Sequence, residues 1–332
     1  MKSGDEIVAL LGKASDDDEI VDVLKQFAIR WAPALDPADT EEETDWYVWR
    51  PSSAMGFEFG FQDEAHLNAL PVELRGKSPL VLSSVAFYGE HEGVRPYPGV
   101  LPFGLTLNDS RATVRKKLSV LETAPRSHRR DVWDAPRYRI VVEHVPGRDV
   151  IDSVLIGLRL APWPPLDEPP SRLPTVKEIL PLFGLPWYAP EVRKVFVPLG
   201  LDKCGPDIAT NRHADLREEC GLELAFFLDP ARDPDSPLRT KGAAFSGVKY
   251  FHSRCQDSRG WAGELPLGLL FDLAYPDFVK VIGRPPDDGR DESLSGFAVW
   301  HFPQFLLHLL YDNVDNVIQC VNLFQPGTWK HV

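Results

Sequence analysis

No uninterrupted apolar stretch in this chain is long enough to span a bilayer. The longest candidate, FAVWHFPQFLLHLLY at 297–311, is broken by His301, Pro303, Gln304 and His308. The opening segment, MKSGDEIVALLGKASDDDEI, lacks the basic region, apolar stretch and small-residue cleavage site of a secretory signal. Both absences lead to the expectation of a soluble, cytoplasmic protein without membrane contact. Cysteine is scarce: Cys204, Cys220, Cys255 and Cys320 all fall in the second half. The first half therefore folds without any, which argues against a disulfide framework and for free thiols in a reducing compartment. Positive charge is also in deficit, with 36 basic residues against 49 acidic and a formal charge of −13. That excess repels phosphate backbones and makes nucleic acid an unexpected partner. It suits solubility, and equally the steering of a basic protein partner.

Catalytic and ligand-binding signatures are missing as well. None of the nine histidines forms an HExxH pair, and there is no GxSxG elbow, CxxC pair or GxGxxG loop. Cys204 and Cys220 bracket His213, but the spacing matches no zinc site. Cys220 stands beside Glu218 and Glu219, which would raise its pKa and disfavour a nucleophilic thiolate. His301 and His308 sit within an apolar segment, where core or edge positions are expected. The acidic runs Asp16–Glu19, Glu41–Asp45 and Asp287-Asp288 read as solvated faces, and DDD at 16–18 lacks the glycine and terminal glutamate of a calcium loop. No catalytic, cofactor-binding or metal-ligating residue is expected, and no cofactor. One basic island, RKK at 115–117 with RSHRR at 126–130, could touch phosphate locally, but the second half carries no counterpart.

What the chain does contain is a repeat. Residues 99–107 read GVLPFGLTL and residues 263–271 read GELPLGLLF. Downstream, Val114 and Leu118 match Phe278 and Ile282, and Trp133 matches Trp300. Tyr138, Ile140 and Val142 match Phe305, Leu307 and Leu309. Upstream, GFEFGF at 56–61 matches GLELAFF at 221–227, and VAFYG at 85–89 matches VKYFH at 248–252. The shared positions are almost all apolar, Gly or Pro, so the duplicated entity is a fold unit rather than a reactive set. The expected organisation is a first unit at 1–163, a proline-rich linker at 164–174 and a second unit at 175–332.

Each unit is expected to be α+β, an antiparallel sheet with short helices on one face. DEIVDVLKQF at 18–27 has helical spacing at Ile20, Val21, Leu24 and Phe27, with the preceding aspartates as cap. TVKEILPLFGL at 175–185, with Thr175 and Glu178 as a capping box, reads as the equivalent opening of the second unit. In LPxGL, the proline holds the approach extended and Gly104 or Gly268 allows a positive φ or a close backbone contact. A helix follows, capped by Asn108, Asp109 or Ser110 in the first copy. Hairpins are expected around PGRD at 146–149 and DNVDN at 312–316.

The segment YPGVLPFGLTLNDSRATVRKKL, followed by a tryptophan, a strand pair and a closing apolar strand, resembles small α+β immunity-type proteins. These are encoded beside bacterial polymorphic and type VI secretion toxins. In architecture alone, the order of turn, short helix and antiparallel strands is similar to tandem-repeat β-lactamase-inhibitor-like units. The resemblance covers roughly 60 residues per copy. It implies a cytoplasmic, non-enzymatic toxin inhibitor, at work in bacterial competition, that binds its cognate toxin. The first copy departs from the pattern after its helix, reading SVLETAP where the second has Gly283 and Pro285, so the two turns are expected to differ.

The candidate partner surface is DPADTEEETDWYVWRP at 36–51, where Glu41, Glu42, Glu43 and Asp45 adjoin Trp46 and Trp49. Acids there would steer a basic partner while tryptophans anchor it. The plainer alternative is a polar loop leading into a strand whose aromatics alternate inward. The loop DPARDPDSPLRTKG at 229–242 is the second candidate. Two other functions stay open: a hydrolase or transferase with its site between the halves, and an assembly adaptor.

Overall fold

The computed structural model describes residues 2–29, 33–35, 47–89, 93–121, 123–164, 166, 170–228, 243–253 and 255–328. The chain divides into two compact units, Met1–Ala161 and Pro162–Val332. Trp163 belongs to the second, where its indole N–H donates to the Ser258 carbonyl at 2.9 Å.

The first unit runs α1 (Gly4–Val8), α2 (Asp18–Gln26), β1 (Tyr47–Ser52), β2 (Phe57–Asp63), α3 (Glu64–Leu67) and β3 (Leu80–Tyr88). It continues through α4 (Arg111–Lys117), β4 (Arg126–Ser127), β5 (Asp131–Asp134), β6 (Tyr138–His144) and β7 (Ile151–Leu158). Its sheet is antiparallel, in the order β1-β2-β3-β7-β6-β5-β4. The second unit runs α5 (Val176–Ile179), α6 (Pro190–Phe196), α7 (Gly205–Asn211), β8 (His213–Leu216), α8 (Arg217–Cys220), β9 (Leu222–Leu228) and β10 (Ala243–Phe251). Then come α9 (Tyr275–Ile282), β11 (Asp288–Asp291), β12 (Ser295–His301), β13 (Leu306–Asp312) and β14 (Val317–Phe324). The sheet order, β8-β9-β10-β14-β13-β12-β11, traces the same path. The fold is α+β, built twice.

The repetition extends to register. Trp133 lies opposite Ile140, which lies opposite Ile156. Trp300 lies opposite Leu307, which lies opposite Leu323. Phe57 faces Phe87 as Leu222 faces Tyr250. Each unit has a bulge where one serine of the longer strand is skipped, Ser83 in β3 and Ser246 in β10. All the matched apolar residues point to the face that the helices cover. In the first unit Ile7, Ile20, Val23, Leu24, Phe27, Val114 and Leu118 pack there against Phe57, Phe59, Phe87 and Trp133. Full burial of each such side chain is worth about 2 kcal/mol, so the one-sided pattern decides which face is covered.

LPxGL is a tight turn in both copies. Leu105 N–H donates to the Pro102 carbonyl and Leu269 N–H to Pro266, each at 3.1 Å. Two successive residues are left-handed: Phe103 (φ 58°) and Gly104 (φ 66°), then Leu267 (φ 58°) and Gly268 (φ 75°). A Cβ on either glycine would meet open space, so the glycine serves conformation and not close approach. The glycine that opens the motif does the opposite. A Cβ at Gly99 would strike the ring of Tyr97 at 2.6 Å, and one at Gly263 the ring of Trp261 at 2.5 Å. Those rings pack on Phe87 and Tyr250, at 4.9 and 5.3 Å. After the turn, Ser110 caps α4 by accepting from Thr113 N–H at 3.2 Å. The helices end differently, as the sequences require: α4 passes into a 3-10 turn over Leu118–Leu121, whereas α9 stops at left-handed Gly283.

The opening helices are paired differently from the sequence expectation. The counterpart of TVKEILPLFG is not the helix at 18–27 but SGDEIVALLG at 3–12. Both carry a capping box, Ser3 with Glu6 and Thr175 with Glu178. Both then return to the bulged strand: Gly12 N–H donates to Leu82 O and Gly184 N–H to Phe245 O, each at 2.8 Å. The second helix, α2, corresponds to α6. Helical periodicity alone favoured the longer α2, because α1 has too few residues to show it. Within α2 the buried face is Ile20, Val23 and Leu24, with Asp17 as cap.

Candidate functional site

Of the partner-binding residues read from the sequence, Glu41, Glu42, Glu43, Asp45 and Trp46 lie outside the described residues, as does the loop 229–242. Trp49 is placed, in the edge strand β1. Val48 points into the core while Trp49 stays 41% exposed. Tyr47, two residues earlier on the same side, stacks with Trp49 at 6.1 Å and 12° between ring planes. These aromatics alternate outward, contrary to the inward alternative. The indole lies across Gly60 of β2, where a Cβ would come within 2.9 Å of it. A cross-strand glycine thus seats the ring flat on the sheet. Pro51 in the same strand fits an edge, since no ladder donor is needed on the open side.

Four of the six Lys and Arg side chains of the basic island, Arg115, Lys117, Arg126 and Arg130, are paired inside the first unit. Arg111 and Arg115 each grip the fully buried Asp131 with two nitrogens, at 2.6 to 3.0 Å. Arg126 pairs with Asp134, and Arg130 with Glu143 at 2.8 Å. Lys117 bonds Asp109 at 2.7 Å and the Gly104 carbonyl at 2.8 Å, tying α4 to the LPxGL turn. These cations hold a helix and a hairpin together. Burial pushes the Asp131 carboxyl up, but the hydrogen bonds from Arg115 and Arg111 outweigh it and hold the group at about 2.

The units differ most on the sheet face that the helices leave. Across the first sheet one row of neighbours reads Glu58, Ala86, Leu155, Val141, Val132. The equivalent row in the second reads Glu223, Lys249, Asn322, His308, Val299. Where the first unit has three apolar residues, the second has a lysine, an amide and an imidazole. His213 Nδ1 lies 3.2 Å from Glu223; their hydrogen bond raises the pKa of His213 and lowers that of Glu223. Lys249 Nζ sits 4.4 Å from the centre of the Phe251 ring, a cation–π contact. Asn322 Nδ2 lies 3.1 Å from His308 Nδ1, and burial takes that imidazole down to about 4. Beside this row, Cys255 Sγ approaches Cys320 Sγ to 3.9 Å, both thiols free.

Sequence reasoning missed this assembly because its members lie far apart and match no motif. A signal was present: Lys249 occupies an outward strand position where the first copy has alanine. The rejection of Cys220 stands on an amended cause, since burial first and Glu219 second raise it to about 12. Among the described residues no group of three His, Cys, Asp or Glu is placed to hold a metal ion, and no helix is long and apolar enough to cross a membrane.

No protein-family model and no curated protein sequence matches the chain. A solved structure from Thermobifida fusca, described as a thioesterase II, aligns over 74% of this chain and 94% of its own at 12% identity. The TM-score of that alignment is 0.12, too low to carry any argument about fold or activity.

Proposed function

We propose that this chain is a non-enzymatic binding protein that neutralises a basic bacterial toxin, such as a secreted nuclease, by covering its active site. The observation that carries the reading is the outward-facing Tyr47–Trp49 stack on an edge strand, directly after the acidic run at 41–45. Part-exposed aromatics are the side chains that most often anchor interfaces, and acids beside them in the sequence would steer a basic partner. Two further features support it. The net charge is −13, and Arg111, Arg115, Arg126 and Arg130 of the first unit are paired internally. The duplicated core leaves outward and edge positions free to diverge, and the copies differ there at Ala86 against Lys249, Leu155 against Asn322 and Val141 against His308.

Titration calorimetry against the purified toxin encoded by the neighbouring gene tests the reading. Tight 1:1 binding is expected, with association slowed at higher salt. Replacing Tyr47→Ala and Trp49→Ala together should weaken affinity by about 30-fold, the effect of losing roughly 2 kcal/mol at a hot spot. Absence of a complex, or an unchanged affinity in the double variant, contradicts it.

A further inference from the structure

Four cysteines occupy very different surroundings. Cys204 and Cys220 are buried, and burial together with Glu219 raises both thiols. Cys320 projects from the middle of β14 and is fully buried. Cys255 follows β10 on a short turn, part-exposed, its amide held by the His252 carbonyl at 3.1 Å. That turn returns over β14, where Phe251 pairs with Cys320 and His252 N–H donates to Gln319 O at 2.9 Å. The strand pairing thus brings together two sulfurs that are 65 residues apart in sequence.

The surroundings of Cys255 favour its anion. Its hydrogen bonding with Cys320 outweighs the burial that opposes the charge, and Lys249 and Arg217 add positive potential against Asp312, so its pKa falls while that of Cys320 rises. A part-exposed thiol next to cations, with a second thiol in reach, is the arrangement of a peroxide-reactive cysteine and its resolving partner. The first unit has no equivalent: the position matching Cys320 is Ser153. The pair is particular to the second unit's outward face.

The structure assigns Cys255 and Cys320 as an oxidisable thiol pair, with Cys255 attacking a hydroperoxide and Cys320 resolving the product. The Cys255 thiolate displaces the distal hydroxyl of hydrogen peroxide, forming the S–O bond of a sulfenic acid while the leaving hydroxide takes up a proton to give water. The Cys320 sulfur then attacks Cys255 sulfur, expels that oxygen as a second water and gives up its own proton. Two thiols are oxidised to one disulfide and one peroxide is reduced to two waters. Closing 3.9 Å to a bond requires a side-chain rotation at Cys255, the member of the pair on the looser segment.

Full-length protein is treated with stoichiometric hydrogen peroxide, quenched, and analysed by thiol titration in denaturant and by peptide mass mapping. The titre should fall from the four cysteines of the chain to two, with a single cross-linked peptide joining Cys255 to Cys320. Cys320→Ser should instead leave Cys255 as a sulfenic acid trapped by dimedone, and Cys255→Ser should abolish the reaction. The wild-type map decides the matter even if the Cys320 variant fails to fold. Retention of all four thiols, or oxidation that begins at Cys204 or Cys220, overturns the assignment.

Discussion

Gly56→Ala and Gly221→Ala are each expected to cost about 3–4 kcal/mol, read as a fall in the urea midpoint. Gly56 has φ 60° and Gly221 φ 77°, a region where a side chain costs about 1–2 kcal/mol. Space adds to this. A Cβ at Gly56 would lie 2.2 Å from Arg95 O and 2.4 Å from Tyr97 N, and one at Gly221 2.3 Å from Gly260 C and Trp261 N. These are backbone atoms of the segment that delivers Tyr97 or Trp261 to the core, so they cannot swing aside, and overpacking adds about 2 kcal/mol. The same hydrogen bonds fix that segment in both units. Tyr88 N–H donates to Gly56 O and Tyr97 N–H to Tyr88 O, as Phe251 N–H donates to Gly221 O and Trp261 N–H to Phe251 O. Gly147→Ala is the control. It has φ 74° with open space around the missing Cβ, so about 1 kcal/mol is expected. Equal costs at Gly147 and Gly56 would remove close approach from the account.

Asp131→Ala is expected to cost about 3 kcal/mol, because it strands two arginines around a buried gap. The second unit shows the other solution to the same problem: Ala298 takes the place of Asp131, and Tyr275 and Val279 take those of Arg111 and Arg115. Tyr275 there packs on Phe278 and Tyr311, at 5.2 Å from each. Rebuilding that version with Arg111→Tyr, Arg115→Val and Asp131→Ala together should therefore cost less than the single change, since apolar packing often replaces a buried ion cluster at little cost. The carboxylate also predicts an acid dependence. Its pKa lies at about 2 in the fold against an ordinary 3.8, so its contribution is complete above 3.8 and disappears as pH falls through about 2. That difference is worth about 2 kcal/mol. Urea titrations at neutral pH and at acid pH should show a larger loss in the wild type than in Asp131→Ala, which keeps the loss due to Asp134.

The duplicated framework was legible because core-facing positions tolerate little change: GxLPxGL, Trp133 with Trp300, and the alternating strands survive as side-chain type. The helix Asp18–Gln26 and the hairpins around 146–149 and 312–316 followed from capping and turn chemistry. The short edge strands β4, β8 and β11 left no period, since two to four residues cannot show alternation. The α1 helix was passed over for the same reason, though Ser3 and Glu6 form the same capping box as Thr175 and Glu178. The site was harder to read. Trp49 was found by its setting among acids, but its outward direction depends on register with Gly60. The row of Glu223, Lys249, Asn322 and His308 comes from four strands and exists only once the sheet is assembled. Divergence between the copies at outward positions, Ala86 against Lys249 and Val141 against His308, was the available clue.

Amide hydrogen exchange followed residue by residue along the full-length chain tests most directly whether one fold has been built twice. Equivalent topology places the most protected amides in equivalent strands, because protection follows burial and pairing on both sides. The slowest amides should fall in β3, β7 and β6 of the first unit and at the matching positions of β10, β14 and β13 in the second. A slow core in either half that lies in β1, β4, β8 or β11, or on strands without a protected counterpart in the other half, would contradict the duplication.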